Sequence, residues 1–126
     1  MPLATIYVKD PAKVPNLRDI AHILPDLVAL NLGEPNTQAD LRSDEVEVRI
    51  QVGHPFDQNT KDLGIVIFAN DYPEREGNLT DRVKKLKTDV RALLMPGIEG
   101  YVWVILGTGG YAEWSAILAG RDFTTE

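Results

Sequence analysis

The stretch EVEVRIQV at residues 45–52 alternates strictly between polar and apolar side chains. Three valines and one isoleucine occupy every second position, and charged or amide residues occupy the others. Successive side chains of a strand point to opposite faces of a sheet, so this pattern predicts a β-strand with one buried face and one exposed face. The sequence Gly53-His54-Pro55 then predicts a turn that ends the strand.

Three other segments predict strands. Residues 64–69 (GIVIFA) are continuously apolar, which is typical of a central strand covered on both faces. Residues 3–8 (LATIYV) and 101–106 (YVWVIL) are rich in β-branched and aromatic side chains. A glycine-rich turn from Gly107 to Gly110 follows the last of these segments, and the stretch from Tyr111 to Ala116 is a candidate for a short additional strand.

The first predicted helix covers residues 16–32, where apolar side chains recur at intervals of three and four. Asn16 is a candidate N-cap, and Gly33 stands just beyond the end. Pro25 lies inside this segment and removes one backbone donor, which costs about 3 kcal/mol in a helix interior. We therefore expect a kink at Pro25 or two shorter helices.

The second predicted helix covers residues 78–95 and has the clearest apolar stripe in the chain. Asn78 with Asp81 resembles a capping box. The preceding residues 70–77 are predicted to form a loop. The basic residues of the helix are interleaved with acidic ones, which predicts an ordinary solvated face rather than a binding patch; they are Lys84, Lys85, Lys87 and Arg91.

These segments give the order β-α-β-β-α-β, with similar punctuation in both halves, and predict an α+β protein. A length of 126 residues suits one domain over residues 1–126, with halves of about 1–53 and 62–116 and a tail at 117–126 that we expect to fray from Gly120. This order leaves two arrangements open: two consecutive β-α-β units with parallel strand pairs, and a ferredoxin-like module with an antiparallel sheet.

The composition excludes several classes of function. A net charge of -6 makes nucleic acid and anionic membranes poor partners. The absence of cysteine excludes disulfides and thiolate chemistry, and two histidines, His22 and His54, are too few for a convincing metal site. We expect no metal and no cofactor. Because no targeting or membrane-spanning segment is visible, we expect a cytoplasmic protein.

The start of the chain, Met1-Pro2 followed at once by a strand, resembles the tautomerase superfamily. The resemblance implies a four-stranded mixed sheet with two helices on one face, the tautomerase or MIF-like fold, and a homotrimer. It also implies that Pro2 becomes the catalytic base once Met1 is removed. Leu41-Arg42-Ser43 looks closest to the 5-carboxymethyl-2-hydroxymuconate isomerase branch, in which Arg75 matches a second arginine, whereas Arg49 matches the 4-oxalocrotonate tautomerase branch.

The chemistry explains why these residue types are needed. A tautomerase moves a proton between the oxygen and a carbon of a small 2-hydroxy-dienoate or 2-oxo acid, so it needs a base that is neutral near pH 7. An α-amino group ordinarily titrates near 8, and an apolar pocket with nearby arginines lowers the pKa of the Pro2 amine. Arginines hold the carboxylate through paired hydrogen bonds, so Arg42, Arg49 and Arg75 are the candidate substrate-binding residues.

Each arginine also has an ordinary structural interpretation. Arg49 fits the polar face of a strand equally well, and Arg42 and Arg75 fall in predicted loops where a solvated side chain is the commoner outcome. Two alternatives to the enzyme therefore stay open: a ferredoxin-like binding or regulatory module, and a non-catalytic protein of the tautomerase fold.

Overall fold

The computed structural model describes residues 2–110, 112–115, 117–118 and 121–122. Four strands and three helices account for most of this part of the chain, and two short 3-10 turns lie at Pro11–Lys13 and Ser43–Glu45. In chain order the elements are β1 (Leu3–Val8), α1 (Leu17–Leu32), β2 (Glu47–Val52), β3 (Leu63–Asn70), α2 (Pro73–Glu76), α3 (Leu79–Arg91) and β4 (Gly100–Gly107). Two-residue strands β5 (Ile117–Leu118) and β6 (Arg121–Asp122) pair with each other.

The four main strands form a mixed sheet in the order β2-β1-β3-β4. β1 pairs in parallel with β2, β3 pairs in parallel with β4, and β1 and β3 run antiparallel in the centre. Parallel neighbours need a long crossover, which α1 supplies in the first half and α3 in the second. The predicted four-stranded mixed sheet is confirmed, and the parallel β1–β2 pair rules out the antiparallel ferredoxin-like arrangement.

The core lies between the sheet and the two long helices, which share one face of it. The central strands supply alternate buried side chains, and the apolar stripes of α1 and α3 cover them. The largest fully buried side chains of this core are Ile6, Val8, Ile20, Leu24, Val28, Leu32, Leu63, Ile65, Ile67 and Leu86. The opposite side of the sheet, which we call the open face, carries Leu3, Thr5, Tyr7, Glu47, Arg49, Gln51, Val66, Phe68, Tyr101, Trp103 and Ile105.

α1 continues through Pro25 as one helix, so the expectation of two shorter helices is wrong. The buried residues Leu24 and Val28 flank the proline and belong to the same core cluster. Burial of an apolar side chain is worth about 1.5–3 kcal/mol, so this packing offsets the cost of the proline. Asn16 does occupy the N-cap position, but its side-chain amide donates to the carbonyl of Leu93 at 2.6 Å instead of capping the helix.

The second long helix differs from its prediction at both ends. α3 spans Leu79–Arg91 rather than 78–95, and Asn78 makes no side-chain cap, so the capping box is absent. The Asn78 side-chain oxygen instead accepts a hydrogen bond from Nε of Arg82 at 2.6 Å. The predicted loop at 70–77 contains the short helix α2.

The ends of the other predicted segments also shift. The strand predicted at 45–52 begins at Glu47, because its first residue belongs to a 3-10 turn. Residues 112–115 are irregular, which excludes a strand there, while Tyr111 and Ala116 lie outside the described residues. Gly107 ends β4 rather than opening a hairpin. The predicted frayed tail falls mainly on Gly120 and residues 123–126, which also lie outside them. No helix in the described part of the chain is long and apolar enough to cross a membrane.

Asp62 ties the beginnings of β3 and β4 together. Its carboxylate accepts a hydrogen bond from the backbone N–H of Glu99 at 3.0 Å and lies 3.5 Å from Nζ of Lys13. The Glu99 hydrogen bond lowers the pKa of Asp62, and the charge of Lys13 acts in the same direction. Because the folded pKa lies below the unfolded one, this interaction stabilises the protein above the unfolded pKa and is lost as pH falls through the folded pKa.

We expect Asp62→Asn to lower the free energy of unfolding at pH 7, and we expect the difference from wild type to shrink once the pH drops below about 4. Urea denaturation at a series of pH values measures this. Asp40→Asn, a change of the same charge in an exposed loop, serves as the control and should show no such dependence. A difference for Asp62→Asn that stays constant from pH 7 to pH 3 would contradict the assignment.

Candidate functional site

At one end of the sheet, the beginning of the chain lies beside the ends of β3 and β4. Pro2 is buried just before β1, and its carbonyl accepts a hydrogen bond from the N–H of Glu47 at 3.0 Å. Leu3 is paired with Phe68 in the antiparallel ladder, which sets Pro2 at the level of Ala69. The sheet itself therefore fixes the position of the Pro2 ring.

A cavity of about 220 Å³ opens at this same end. The last residues of β3 and the glycine-rich segment after β4 line it, namely Phe68, Ala69, Asn70, Gly107, Thr108 and Gly109. Pro2 does not itself line the cavity, but it lies one strand spacing, about 4.8 Å, from the level of Ala69, which does. The glycines leave the backbone of 107–109 accessible from the cavity, which suits a small polar ligand.

Arg75 lies beside this end of the sheet, but it is a buried residue of α2 and not the solvated loop residue that the sequence favoured. Its Nε donates to the carbonyl of Leu32 at 2.9 Å, and its Nη1 donates to the carbonyl of Asn70 at 2.8 Å. The guanidinium also lies 5.1 Å from the ring centroid of Tyr72. Burial lowers the pKa of Arg75, although an arginine stays charged at any ordinary pH.

Arg82 is a second arginine that holds the C-terminus of α1. Its Nη1 donates to the carbonyls of Asn31 and Gly33, at 3.0 and 3.3 Å. Its Nη2 pairs with the carboxylate of Glu34 at 2.7 Å and donates to the carbonyl of Glu74 at 3.2 Å. The last carbonyls of a helix lack intrahelical partners and carry partial negative charge, so a guanidinium there stabilises both the helix end and its contact with α2.

The other two predicted arginines are exposed. Arg42 precedes β2, at the end of the sheet that also holds Pro2, and pairs with Asp44 and Glu45 at 3.2 and 3.5 Å. Arg49 lies on the open face in the register position opposite Thr5 and pairs with Glu47 at 3.0 Å. The structure thus places Pro2, Arg42 and Arg75 towards one end of the sheet and Arg49 further along β2, and none of the three arginines lines the cavity at that end.

An acidic pair lies at the same end of the sheet. A hydrogen bond to Asp71 raises the pKa of Glu76, and repulsion between the two carboxylates acts in the same direction. A raised pKa means that the Glu76 carboxyl keeps its proton to a higher pH than an isolated carboxyl does. No group of three or more metal-ligating side chains occurs among residues 2–110 and 112–115.

The contacts of Arg82 and Arg75 could not be read from the amino-acid pattern. Their acceptors are mostly backbone carbonyls, which are present at every residue and leave no trace in the side-chain sequence. One available signal was the exposed C-terminus of a predicted helix at Gly33, which requires donors from elsewhere. The cavity at Phe68 could not be predicted from the sequence either, because it arises where two strands end side by side.

Comparison with solved structures identifies the fold. No family model and no curated protein matches the chain. Among solved structures, a fused 4-OT symmetric trimer is 19% identical with a TM-score of 0.58, over 94% of this chain and 99% of that one. The macrophage migration inhibitory factor of Trichinella spiralis is 18% identical with a TM-score of 0.54, over 96% of this chain and 99% of that one. A Vibrio cholerae protein of unknown function is 10% identical with a TM-score of 0.58, over 97% and 87%. The chain therefore has the tautomerase/MIF fold, as predicted.

We expect Arg82→Met to lower the free energy of unfolding by about 2 kcal/mol, because it removes charge-assisted hydrogen bonds and leaves carbonyls at the end of α1 without donors. Chemical denaturation measures the change. Arg18→Met, an equivalent truncation at an exposed position of α1, should change the stability by less than about 0.5 kcal/mol. Equal effects of the two substitutions would refute the role of Arg82 as a helix-end clamp.

Proposed function

We propose that this protein is a cofactor-independent tautomerase whose N-terminal proline, exposed by removal of Met1, is the general base. The observation that carries the proposal is the position of Pro2: a buried ring held before a central strand, beside a cavity of about 220 Å³, in a chain with the tautomerase/MIF fold. The proposed substrate is a small 2-hydroxy-dienoate or 2-oxo acid.

The proposed reaction transfers one proton and is balanced without any co-reactant. The neutral Pro2 amine accepts the proton of the 2-hydroxyl group while the carbon–oxygen double bond of the 2-oxo acid forms. The electron pair of the adjacent carbon–carbon double bond then takes up a proton at carbon, delivered by the protonated amine. Burial favours the neutral amine, because a charged group loses hydration there, and so keeps the base ready near pH 7.

The proposed carboxylate partners are Arg42, Arg49 and Arg75. Arg42 is the most accessible at this end of the sheet, and its exposed ion pairs with acidic neighbours exchange readily with solvent or substrate. Arg49 reaches a substrate from the open face of the sheet. Arg75 already uses Nε and Nη1 to hold two carbonyls, so its first contribution is to position Asn70, a residue of the cavity lining.

A homotrimer is part of the same proposal. The open face exposes aromatic side chains that an isolated soluble protein ordinarily covers, with Phe68 at 53% and Trp103 at 60% of their accessible surface. Both edge strands of the sheet, β2 and β4, are unpaired on their outer side within the described residues. A sheet with an apolar patch on the β3–β4 part of its open face and two open edges is suited to association with further copies of itself.

We expect Pro2→Ala to lower kcat/KM for phenylenolpyruvate or 2-hydroxymuconate by a factor on the order of 10²–10⁴, the usual contribution of a positioned base. The substitution replaces the rigid secondary amine by a primary one. Enol-to-keto assays followed in the ultraviolet measure the rates, and Pro15→Ala, at an exposed proline, is the matched control. Equal rates for wild type and Pro2→Ala would remove the catalytic role of Pro2.

Mass spectrometry of the protein isolated from its native cells tests the premise directly. The proposal requires the mass without Met1, and a retained methionine refutes it because the Pro2 nitrogen is then an amide without useful basicity.

Nitrogen-15 NMR titration of the processed protein should give a Pro2 pKa below the value near 8 of an ordinary α-amino group. A processed protein that is inactive towards both substrates would support a non-catalytic member of the fold instead.

For the assembly, we expect Phe68→Glu to convert the protein from a trimer to a monomer, because three charged carboxylates in an apolar contact cost more than the contact gains. Analytical ultracentrifugation measures the mass. Phe56→Glu makes the same chemical change at a residue 83% exposed in the loop after β2, and should leave the trimer intact. A wild-type protein that sediments as a monomer, or a trimer that persists in Phe68→Glu, would refute an interface on the open face.

A further inference from the structure

A second cavity lies between the last turn of α3 and the beginning of β4, on the helix side of the sheet. Its volume is about 370 Å³, which is within the size range of small-molecule sites. Apolar side chains form its floor, and those of Val90 and Leu63 are almost completely buried. The remaining members of the floor are Leu94, Ile98 and Val102. We call this cavity the α3–β4 groove.

Basic side chains surround the mouth of the groove. Lys87 and Arg91 line it from α3, where a spacing of four residues puts them on one side of the helix, and Lys61 lines it from the loop before β3. Glu99 is the acidic residue of the lining. Three cations and one carboxylate give the rim a positive charge, although the whole chain carries -6. The rim is therefore complementary to an anion, although the net charge of the chain is negative.

The basic residues of α3 look alike in sequence but differ in whether they line the groove. Lys84 and Lys85 are exposed on the same helix but do not line the groove, whereas Lys87 and Arg91 do. The sequence predicted one solvated face for all four residues. All four side chains are exposed, as predicted, but Lys87 and Arg91 also line the groove.

Hydrogen bonds fix the walls of the groove without any ligand. The N–H of Leu63 donates to the carbonyl of Glu99 at 3.1 Å, and the N–H of Glu99 donates to the Asp62 carboxylate at 3.0 Å. By contrast, Lys61 and Glu99 form a long ion pair of 3.7 Å between exposed side chains, which contributes little and exchanges easily. A ligand anion can thus replace Glu99 as the partner of Lys61 while the backbone stays in place.

The groove is separate from the site around Pro2. Gly100, at the groove, pairs with Leu63, and Leu63 pairs with Val8, the last residue of β1. Pro2 lies at the other end of β1, just before its first residue. Pro2 and Val8 are six residues apart, and six residue steps along a strand span about 20 Å. A ligand in the α3–β4 groove therefore does not reach the proposed base.

We propose that the α3–β4 groove binds a small amphipathic carboxylate, with an aliphatic chain on the apolar floor and the carboxylate at the basic rim. Arg91 offers paired donors that match the two carboxylate oxygens, and Lys87 adds a second cation one turn earlier. The apolar floor selects for the chain, and the charge of the rim selects for a carboxylate over a neutral or cationic head group.

Octanoate is a suitable probe, with octan-1-ol and octylamine as compounds of the same chain length. We expect octanoate to bind the full-length protein with a dissociation constant on the order of 0.1–1 mM, a value typical of a ligand this small. Two-dimensional nitrogen-15 NMR follows the titration, and the shifted resonances should include those of Arg91, Ile98 and Gly100. No binding of octanoate at 5 mM, or equal binding of octan-1-ol, would overturn the proposal; 5 mM is roughly ten times the expected constant.

A pair of double substitutions with equal charge change separates the groove from general surface charge. Lys87→Gln with Arg91→Gln should weaken octanoate binding by a factor on the order of ten, because the carboxylate loses its charged donors. Lys84→Gln with Lys85→Gln should leave it unchanged. These four side chains are exposed, so the variants are expected to fold; circular dichroism and thermal melts check this. Equal weakening in both pairs would show that net charge, and not the groove, attracts the probe.

Pro2→Ala provides the last control. Octanoate affinity should be the same in this variant as in wild type, because the groove lies at the other end of β1. A loss of affinity in Pro2→Ala would show that the probe occupies the site near the N-terminus and would overturn the separate groove. The outcome is independent of whether Pro2 acts as a base.

Discussion

The parallel pairing of β1 with β2 governs how the other elements are arranged. Because parallel strands cannot be joined by a hairpin, the chain must cross the sheet through α1 before β2 can pair, and the same requirement places α3 between β3 and β4. Both crossovers lie on one side, so one sheet face is covered by helices and the other is left open. The beginnings of β1 and β2 and the ends of β3 and β4 consequently share one end of the sheet.

Two arginines connect this arrangement to the end of α1. Arg75 bonds to carbonyls at the end of α1 and at the end of β3, and Arg82 joins α1 to α3 and to α2. The two cations are held mainly by carbonyl dipoles, with a single carboxylate at Glu34 in the network. A helix end, a strand end and a short helix thus depend on the same pair of side chains, and the strand end, at Asn70, lines the proposed catalytic cavity.

The two ends of the sheet differ in the chemistry that they offer. The end with Pro2 has a small cavity, accessible backbone and arginines nearby, which suits the proposed proton transfer. The other end has the α3–β4 groove, with an apolar floor and a basic rim. The part of the open face formed by β3 and β4 is apolar and aromatic, which suits contact with further copies of the chain. The cavity and the groove are separated by the length of the sheet, since the residues of one strand extend from one end to the other. The open face adjoins both, because Phe68 also lines the cavity and Tyr101 also lines the groove.

Local sequence patterns were enough to establish the element order, but they did not establish every buried face. Ile50 and Val52, on the predicted buried face of β2, are 44% and 55% exposed. Phe68 is 53% exposed, so β3 is not covered on both faces as its apolar run predicted. Three local patterns predicted elements that the folded chain contains: the alternation at 45–52, the apolar run at 64–69 and the apolar stripe of the second helix. Each pattern depends only on residues close together in the chain, so it can be read from the sequence alone. The sequence also identified Pro2 as a distinctive residue, through a resemblance rather than through geometry. Element ends were less predictable, because α1 continues through Pro25 where packing on both sides of the proline outweighs its local cost.

Only the tertiary structure decided which strands are neighbours. It also decided the environments of the arginines and which lysines lie against an apolar surface. Strand pairing depends on contacts between residues far apart in the chain, and the mixed sheet and the ferredoxin-like sheet share one element order. Arg75 is buried because backbone carbonyls of α1 and β3 converge on it, and Lys87 differs from Lys84 because only one of them faces the space beside β4. Such environments are set by the approach of separate elements, which a one-dimensional pattern does not encode.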